Sequence, residues 1–207
     1  MNNVIRRNRF RPVLEMLCIC AVASTVPYRL WAQAATTCPA YSAPGPNLAL
    51  SPDFETEGPC GASTHWAMGT GNCGVNSAAQ NWTIHSSNSG AAINTYWVTS
   101  TLPIGGLQKM LHIVSKGNES GVWQTLPTGL TTVMVSAWVY VKTGHVVLQA
   151  TAGTTGPSAW NDKYNEWEEL RVCTNGTVPV DTILIWNEDP TGAEFLVDRV
   201  EARVISE

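Results

Sequence analysis

A run of alternating residues at 133–141 limits the fold of this chain more than any other feature. One side of the run is apolar and consists of Val133, Val135, Ala137, Val139 and Val141. The other side consists of Met134, Ser136, Trp138 and Tyr140. Because successive side chains of an extended chain point to opposite faces, this pattern predicts a β-strand with one buried face. Lys142–Gly144 then leads into a second apolar run at 145–151, which predicts a hairpin.

The rest of the chain after Asn47 also favours strands, because no window shows a sustained period of 3.6 residues. Further strands are expected at 110–114, 121–125, 167–173 and 182–186, between clusters of Gly, Asn, Pro and Ser. We expect Asn47–Glu55 to be the first strand, Gly192–Val204 to be the last, and residues 60–88 to form mainly long loops. Short strands at this spacing predict an all-β fold, a jelly-roll β-sandwich of two antiparallel sheets.

The N-terminus has the pattern of a signal peptide at residues 1–34. Four arginines between residues 6 and 11 precede an apolar stretch at 13–26, and Ala32-Gln33-Ala34 fits a cleavage site. We therefore expect a lead-in segment at 35–46, one domain at 47–207, and a bacterial protein that is secreted or periplasmic. The alternative is a retained membrane anchor, which the short apolar stretch and Glu15 within it argue against.

Removal of residues 1–34 would make the chain distinctly acidic. The whole sequence has 12 Lys and Arg against 16 Asp and Glu, and five of the basic but one of the acidic residues precede Ala35. The remainder has seven basic and fifteen acidic residues, a net charge of −8. This charge argues against nucleic acid or an anionic membrane as a partner. We expect the mature chain to be a monomer without a membrane span.

Four cysteines follow the leader, which suggests two disulfides in an exported chain. Three connectivities are possible. We favour Cys60–Cys73, which would close a short Gly-rich loop, together with Cys38–Cys173, which would hold the N-terminal segment to the body. A zinc site is the alternative, but these cysteines lack the paired spacing of zinc ligands.

Several segments of the sequence resemble carbohydrate-binding modules of families 4, 9 and 22. They read NLALSPDFE, LQKMLHIVS, GVWQTL, VMVSAWVYVKTG, NEWEEL and EFLVDRVEA, and the resemblance extends over residues 47–205. These families share the galactose-binding-like jelly roll, and the resemblance implies a non-catalytic module that binds poly- or oligosaccharide. It also implies that Trp66 and Trp167 lie in the core. No catalytic domain accompanies the module in this sequence.

Aromatic side chains with a polar edge are the natural contacts for sugar rings. Eight of the nine tryptophans follow residue 34, against three phenylalanines in the whole sequence. The predicted ligand surface consists of Trp97, Trp123, Gln124, Trp138 and Tyr140. Trp138 and Tyr140 are chosen because they lie opposite the valine face of their strand. Trp160 is a further loop aromatic, Trp186 could face either way, and core packing is the alternative for every tryptophan.

The resemblance also implies a structural calcium ion that joins the first strand to the last. Glu55 and Asp198 occupy the matching positions, and carboxylates are suitable calcium ligands. The alternative is that these residues end their strands or form a surface ion pair with Arg199.

The sequence favours a protein that is not an enzyme. Its four histidines are scattered, and no Gly-x-Ser-x-Gly motif or phosphate loop is present. Glu168 and Glu169 would point to opposite faces of a strand, which argues against a catalytic pair. A small glycoside hydrolase would need two carboxylates about 5–10 Å apart across a cleft. The main alternative to sugar binding is a structural or adhesive envelope protein with the same fold.

Overall fold

Ten strands make up the regular structure of the described residues. They are β1 (Thr83–Ser86), β2 (Ile93–Thr99), β3 (Lys109–Ser115), β4 (Ser120–Leu130), β5 (Val133–Thr143), β6 (Val146–Thr151), β7 (Ser158–Trp160), β8 (Trp167–Cys173), β9 (Val180–Asn187) and β10 (Glu194–Val204). This computed structural model describes residues 38, 45–54, 81–86, 93–99, 109–115, 117, 119–153, 155–174, 176–177 and 179–205, with only the backbone for 86, 93–99 and 109.

The strands form two five-stranded antiparallel sheets. The first sheet has the order β1-β4-β9-β6-β7, and the second has the order β2-β3-β10-β5-β8. The chain changes sheet at every connection except those from β2 to β3 and from β6 to β7. This repeated crossing is the connectivity of a jelly roll, and it confirms the predicted all-β sandwich of two antiparallel sheets.

The core lies between the two sheets and contains side chains from both. The alternating run of β5 contributes its whole apolar side, Val133 to Val141, as predicted. Val122 of β4 and Ile185 of β9 enter the same core from the first sheet, and Phe195 of β10 enters it from the second. Burial of these aliphatic side chains contributes about 1.5–3 kcal/mol each, which makes this interface the main source of stability.

The predicted hairpin between β5 and β6 is wrong. β5 pairs with β10 and β8 in the second sheet, whereas β6 pairs with β9 and β7 in the first. The intervening turn carries the chain from one sheet to the other through Gly144, which has a φ of 86°. A Cβ at Gly144 would lie 2.4 Å from Cβ of Ala193. Both the positive φ and the lack of space therefore require glycine at this position.

The predicted first strand, Asn47–Glu55, is also corrected. No strand forms within residues 45–54, although Gly45 N and Leu48 N donate hydrogen bonds to carbonyls of β10. The Asn47 side chain replaces part of the backbone ladder: Ala202 N donates to its Oδ1 (2.8 Å), and its Nδ2 donates to Val200 O (3.1 Å).

Strands β2 and β7 were not predicted from the sequence. The region 60–88, expected to form mainly long loops, contributes the short strand β1 and a core residue. Trp82 is fully buried and lies with its ring centroid 5.3 Å from that of Phe54. Short strands and isolated aromatics carry too little alternation to be recognised. Within the described part of the chain, no helix is long and apolar enough to cross a membrane.

The predicted disulfide between Cys38 and Cys173 is confirmed. It joins the N-terminal segment to the end of β8, across a sequence separation of 135 residues. Met134 and Ile205 form a small apolar cluster around it. Cys60 and Cys73, the other predicted pair, lie outside the described residues.

Replacement of both Cys38 and Cys173 by alanine is expected to lower the free energy of unfolding by about 4–5 kcal/mol, because a disulfide that closes a long loop removes much entropy from the unfolded chain. Urea unfolding of the mature protein measures the loss. The pair Cys60→Ala and Cys73→Ala is the matched control, with a smaller expected loss because its loop is shorter. An unchanged unfolding midpoint in the first variant would contradict the structural role of the bridge.

Candidate functional site

The five predicted ligand residues divide between the two sheets. Trp123 and Gln124 lie on β4 of the first sheet, whereas Trp97 lies on β2, and Trp138 and Tyr140 on β5, of the second. Adjacent residues of a strand face opposite sides, so Trp123 is partly exposed whereas Gln124 is buried. The predicted residues therefore do not form one surface.

The outer side of the first sheet brings together aromatic residues that are distant in the sequence. His85, Gly121, Trp186, Val147 and Trp160 are paired in succession across all five strands. The inner neighbours of this row, such as Ile84 and Ile185, belong to the core. The row consequently lies on the side of the sheet that faces away from the core.

Trp123 is the diagonal neighbour of Trp186 on the same side. It pairs with Leu184, two residues before Trp186 on β9. Trp160 lies two strands from Trp186, about 10 Å at the usual strand spacing. Trp123, Trp160 and Trp186 are all partly exposed, and we call this outer side of the first sheet the tryptophan face.

A carboxylate orients the outermost of these rings. Trp160 Nε1 donates a hydrogen bond of 2.9 Å to Oε2 of Glu188, whose side chain is exposed. The backbone of Glu188 is fixed in turn, because its N–H donates to His145 O (2.9 Å). The bond restricts rotation of the indole, so the ring is presented in one orientation.

Trp186 has a different environment at the middle of the row. Its Nε1 is buried and donates to no acceptor among the described residues, and its ring meets that of His85 edge-on at 6.5 Å. Burial lowers the pKa of His85 below 6.5, an effect that the nearby charge of Glu119 only partly opposes. His85 is thus a neutral aromatic neighbour of Trp186 at pH 7.

Gly121 lies between these two rings, on β4, the strand that separates β1 from β9. A Cβ at this position would lie 2.0 Å from Ile185 O and 2.5 Å from the Trp186 Cα. Any larger residue would therefore push β4 away from β9. The glycine lets the strands approach closely and leaves no side chain between His85 and Trp186.

Gln124 supports the sandwich from the inner side of the same sheet. Its side chain is 3% exposed, and its Nε2 donates to Leu50 O (2.9 Å) and to Asn81 O (3.0 Å). Leu50 N donates back to Oε1 (2.7 Å). Both amide hydrogens are used by backbone carbonyls, so the geometry assigns Gln124 to holding the N-terminal segment against β4.

The outer side of the second sheet has a smaller aromatic cluster. The rings of Tyr140 and Trp167 lie 5.6 Å apart and cover Met110 and Leu196. Trp167 was expected in the core, but Leu170 on the same strand faces inward, so alternation turns Trp167 outward. Trp138, a residue of the predicted ligand surface, is partly exposed on this side. Trp97 pairs in register with Leu111, and only its backbone is described.

Charged side chains on the second sheet are paired with one another. Glu194 Oε1 lies 3.0 Å from Nε2 of His112 and also accepts a hydrogen bond from Lys142. The Lys142 bond is the main cause that holds the pKa of Glu194 below its ordinary value. Arg171 likewise makes two hydrogen bonds to Glu169.

The predicted calcium position is only partly described. Asp198 is fully buried, and its Oδ1 accepts a hydrogen bond of 2.7 Å from Arg199 N. Glu55 lies outside the described residues. Among the described residues, no group of three His, Cys, Asp or Glu could hold a metal ion.

The closely spaced carboxylates of β8 form hydrogen bonds to groups in their own part of the chain. Glu168 Oε2 accepts hydrogen bonds from the backbone N–H groups of Asp162 (3.0 Å) and Lys163 (3.1 Å). Glu169 is bound to Arg171, as described above. These two carboxylates have the separate roles that strand alternation predicted, and they are not arranged as a pair.

The chain is similar to solved structures of carbohydrate-binding modules, the class of protein that the sequence resembles. A family 61 module in complex with β-1,4-galactotriose has 12% identity and a TM-score of 0.48, covering 76% of this chain and 98% of that one. A family 11 module of a cellulosomal cellulase from Clostridium thermocellum has 14% identity and a TM-score of 0.46, covering 70% and 97%. A family 22 xylan-binding domain has 15% identity and a TM-score of 0.44, covering 72% and 98%.

At these identities and TM-scores, the likeness transfers neither a ligand nor a binding residue to this chain. No protein-family model matches the sequence, and no curated protein matches it.

Replacement of Gln124 by alanine is expected to lower the free energy of unfolding by about 2–3 kcal/mol, because it removes all three hydrogen bonds between this buried amide and the backbone of Leu50 and Asn81. Gln149→Ala is the matched control, since the Gln149 amide makes one weak bond of 3.4 Å to Gly156 O. Thermal unfolding of both variants measures the difference. Equal melting temperatures for the two variants would contradict the supporting role of Gln124.

Proposed function

We propose that this protein is a secreted, non-catalytic module that binds poly- or oligosaccharide on the tryptophan face. The observation that carries the proposal is the placement of Trp123, Trp160 and Trp186 on one outer side of the first sheet, each partly exposed. Three large aromatic side chains directed away from the core are not explained by packing alone. An outer aromatic surface of this kind is characteristic of a binding site.

The chemistry of the face suits sugar rings. Pyranoses present C–H groups on their flat sides, which pack on indole rings, and hydroxyl groups at their edges, which need hydrogen-bond partners. Glu188 supplies a carboxylate beside Trp160, and Gln149 supplies an amide in the strand between Trp160 and Trp186. Stacking and hydrogen bonds together would hold the glycan without any reacting group.

The setting of the proposed function rests on the sequence. The signal peptide predicted at 1–34 supports export. Glu168 binds backbone N–H groups and Glu169 binds Arg171, which supports a binding rather than a hydrolytic role. A structural or adhesive role in the cell envelope is the competing function, and it predicts a folded protein without affinity for glycans.

Glycan-array screening of residues 35–207, followed by calorimetry on the best ligand, tests the proposal. Trp160→Ala and Trp186→Ala are each expected to weaken binding roughly tenfold, because each removes a stacking surface of about 1–1.5 kcal/mol. Trp138→Ala is the matched control on the second sheet and is expected to bind like the wild type. A larger loss in Trp138→Ala would move the site to that sheet, and a blank array from folded protein would favour the structural role.

We further propose that Asp198, together with Glu55, holds a structural calcium ion. The position and chemistry of Asp198 support this, because its carboxylate lies fully buried on the last strand and carboxylate oxygens are suitable calcium ligands. Its neighbourhood also fits: Val200 N donates to Pro52 O (2.7 Å), which places the N-terminal segment beside this part of β10. When bound, calcium would supply charge compensation and tie the two chain ends together.

Addition of calcium to chelator-treated protein is expected to raise Tm by about 5–10 °C, because a ligand that binds only the folded state stabilises it. Asp198→Asn and Glu55→Gln should each abolish the rise, and Asp162→Asn, an exposed control, should retain it. Direct titration of calcium by calorimetry keeps the test valid if a variant unfolds. A wild-type protein that neither binds calcium nor gains stability would overturn the proposal.

A further inference from the structure

The two sheets differ in their basic residues. The five strands of the first sheet, which the structure describes completely in backbone, contain no lysine or arginine. The second sheet carries Lys142, Arg171, Arg199 and Arg203 in its strands, in addition to Lys109. The tryptophan face is therefore built on strands that lack any permanent positive charge.

Acidic side chains lie at both ends of the row that runs from His85 on β1 to Trp160 on β7. Glu188 is exposed beside Trp160, and its Oε1 is not the atom that accepts the indole hydrogen bond. Glu119 lies near enough to His85 to influence the pKa of that side chain. Because burial lowers the pKa of His85, this histidine adds no positive charge to the row at pH 7.

We propose that the tryptophan face selects glycans that contain free amino sugars over neutral and acidic glycans. This inference rests on the proposed sugar-binding function and specifies its ligand. An ammonium group near an indole ring gains a cation–π attraction, and the ring of Trp160 is already held beside a carboxylate. The same ammonium group can form a charge-assisted hydrogen bond with Glu188.

An acidic sugar is expected to bind more weakly to the tryptophan face than an amino sugar. A uronic acid or sulfated sugar would place a negative charge beside Glu188, with no basic side chain on these five strands to compensate it. A neutral sugar would retain the stacking and hydrogen bonds but gain no charge interaction. The expected order of affinity is therefore amino sugar, then neutral sugar, then acidic sugar.

Calorimetry with three oligosaccharides of equal length tests the order: β-1,4-linked glucosamine, its N-acetylated form, and galacturonate. The glucosamine oligomer is expected to bind about tenfold more tightly than the N-acetylated one, from the combined cation–π and charge-assisted bonds. This preference should shrink at high salt, because exposed charges are screened. It should also shrink at a pH that deprotonates the ligand amine.

Glu188→Gln is the decisive variant, because glutamine keeps an acceptor for Trp160 Nε1 but removes the charge. It is expected to lower the preference for glucosamine about fivefold while leaving binding of the N-acetylated oligomer unchanged. Glu201→Gln, which removes the same charge from the second sheet, should retain the wild-type preference.

Equal affinity for the glucosamine and N-acetylated oligomers, or tighter binding of galacturonate, would overturn this inference and leave the sugar-binding function intact. Failure of every glycan to bind would instead remove the proposed function itself.

Discussion

The burial of two apolar sheet faces against each other is the interaction on which the rest of this structure depends. Once the valine side of β5 is committed to the core, alternation determines the outward direction of Trp138 and Tyr140. The same rule, applied to β4 and β9, directs Trp123 and Trp186 away from the core. The outer surfaces are thus a consequence of core packing, and a shift of one residue in any strand would exchange the two sides.

Polar side chains complete the sandwich where the backbone ladder cannot. Asn47 provides both a donor and an acceptor to β10, and Gln124 does the same for the backbone at Leu50. Both side chains therefore hold the N-terminal segment, which has no strand of its own among residues 45–54. With the Cys38–Cys173 disulfide, they give this irregular segment three separate attachments to the sheets.

The sequence was sufficient for those features that depend on one strand at a time. The alternation of β5 predicted its buried side. The even number of cysteines suggested two disulfides, and assigning the short Gly-rich loop to Cys60 and Cys73 left Cys38–Cys173 as the other favoured pair. Lateral pairing was not predictable, because alternation does not specify which strand lies beside which. For this reason the predicted hairpin of β5 and β6 is wrong, and the predicted ligand surface combines Trp123 with Trp138 instead of with Trp160 and Trp186. A site that spans several strands can be recognised only when their order and register are known.

The two outer surfaces differ most clearly in whether their carboxylates are paired with basic side chains. On the second sheet, carboxylates face basic side chains: Glu194 meets Lys142, Glu169 meets Arg171 and Glu201 meets Arg203. Exposed pairs of this kind contribute little to stability, but they cancel the local field. On the first sheet, Glu188 meets the indole of Trp160, which orients the ring and leaves the negative charge uncompensated by any base on these strands. A surface that keeps its charge while exposing aromatic rings is suited to a ligand that carries the complementary charge.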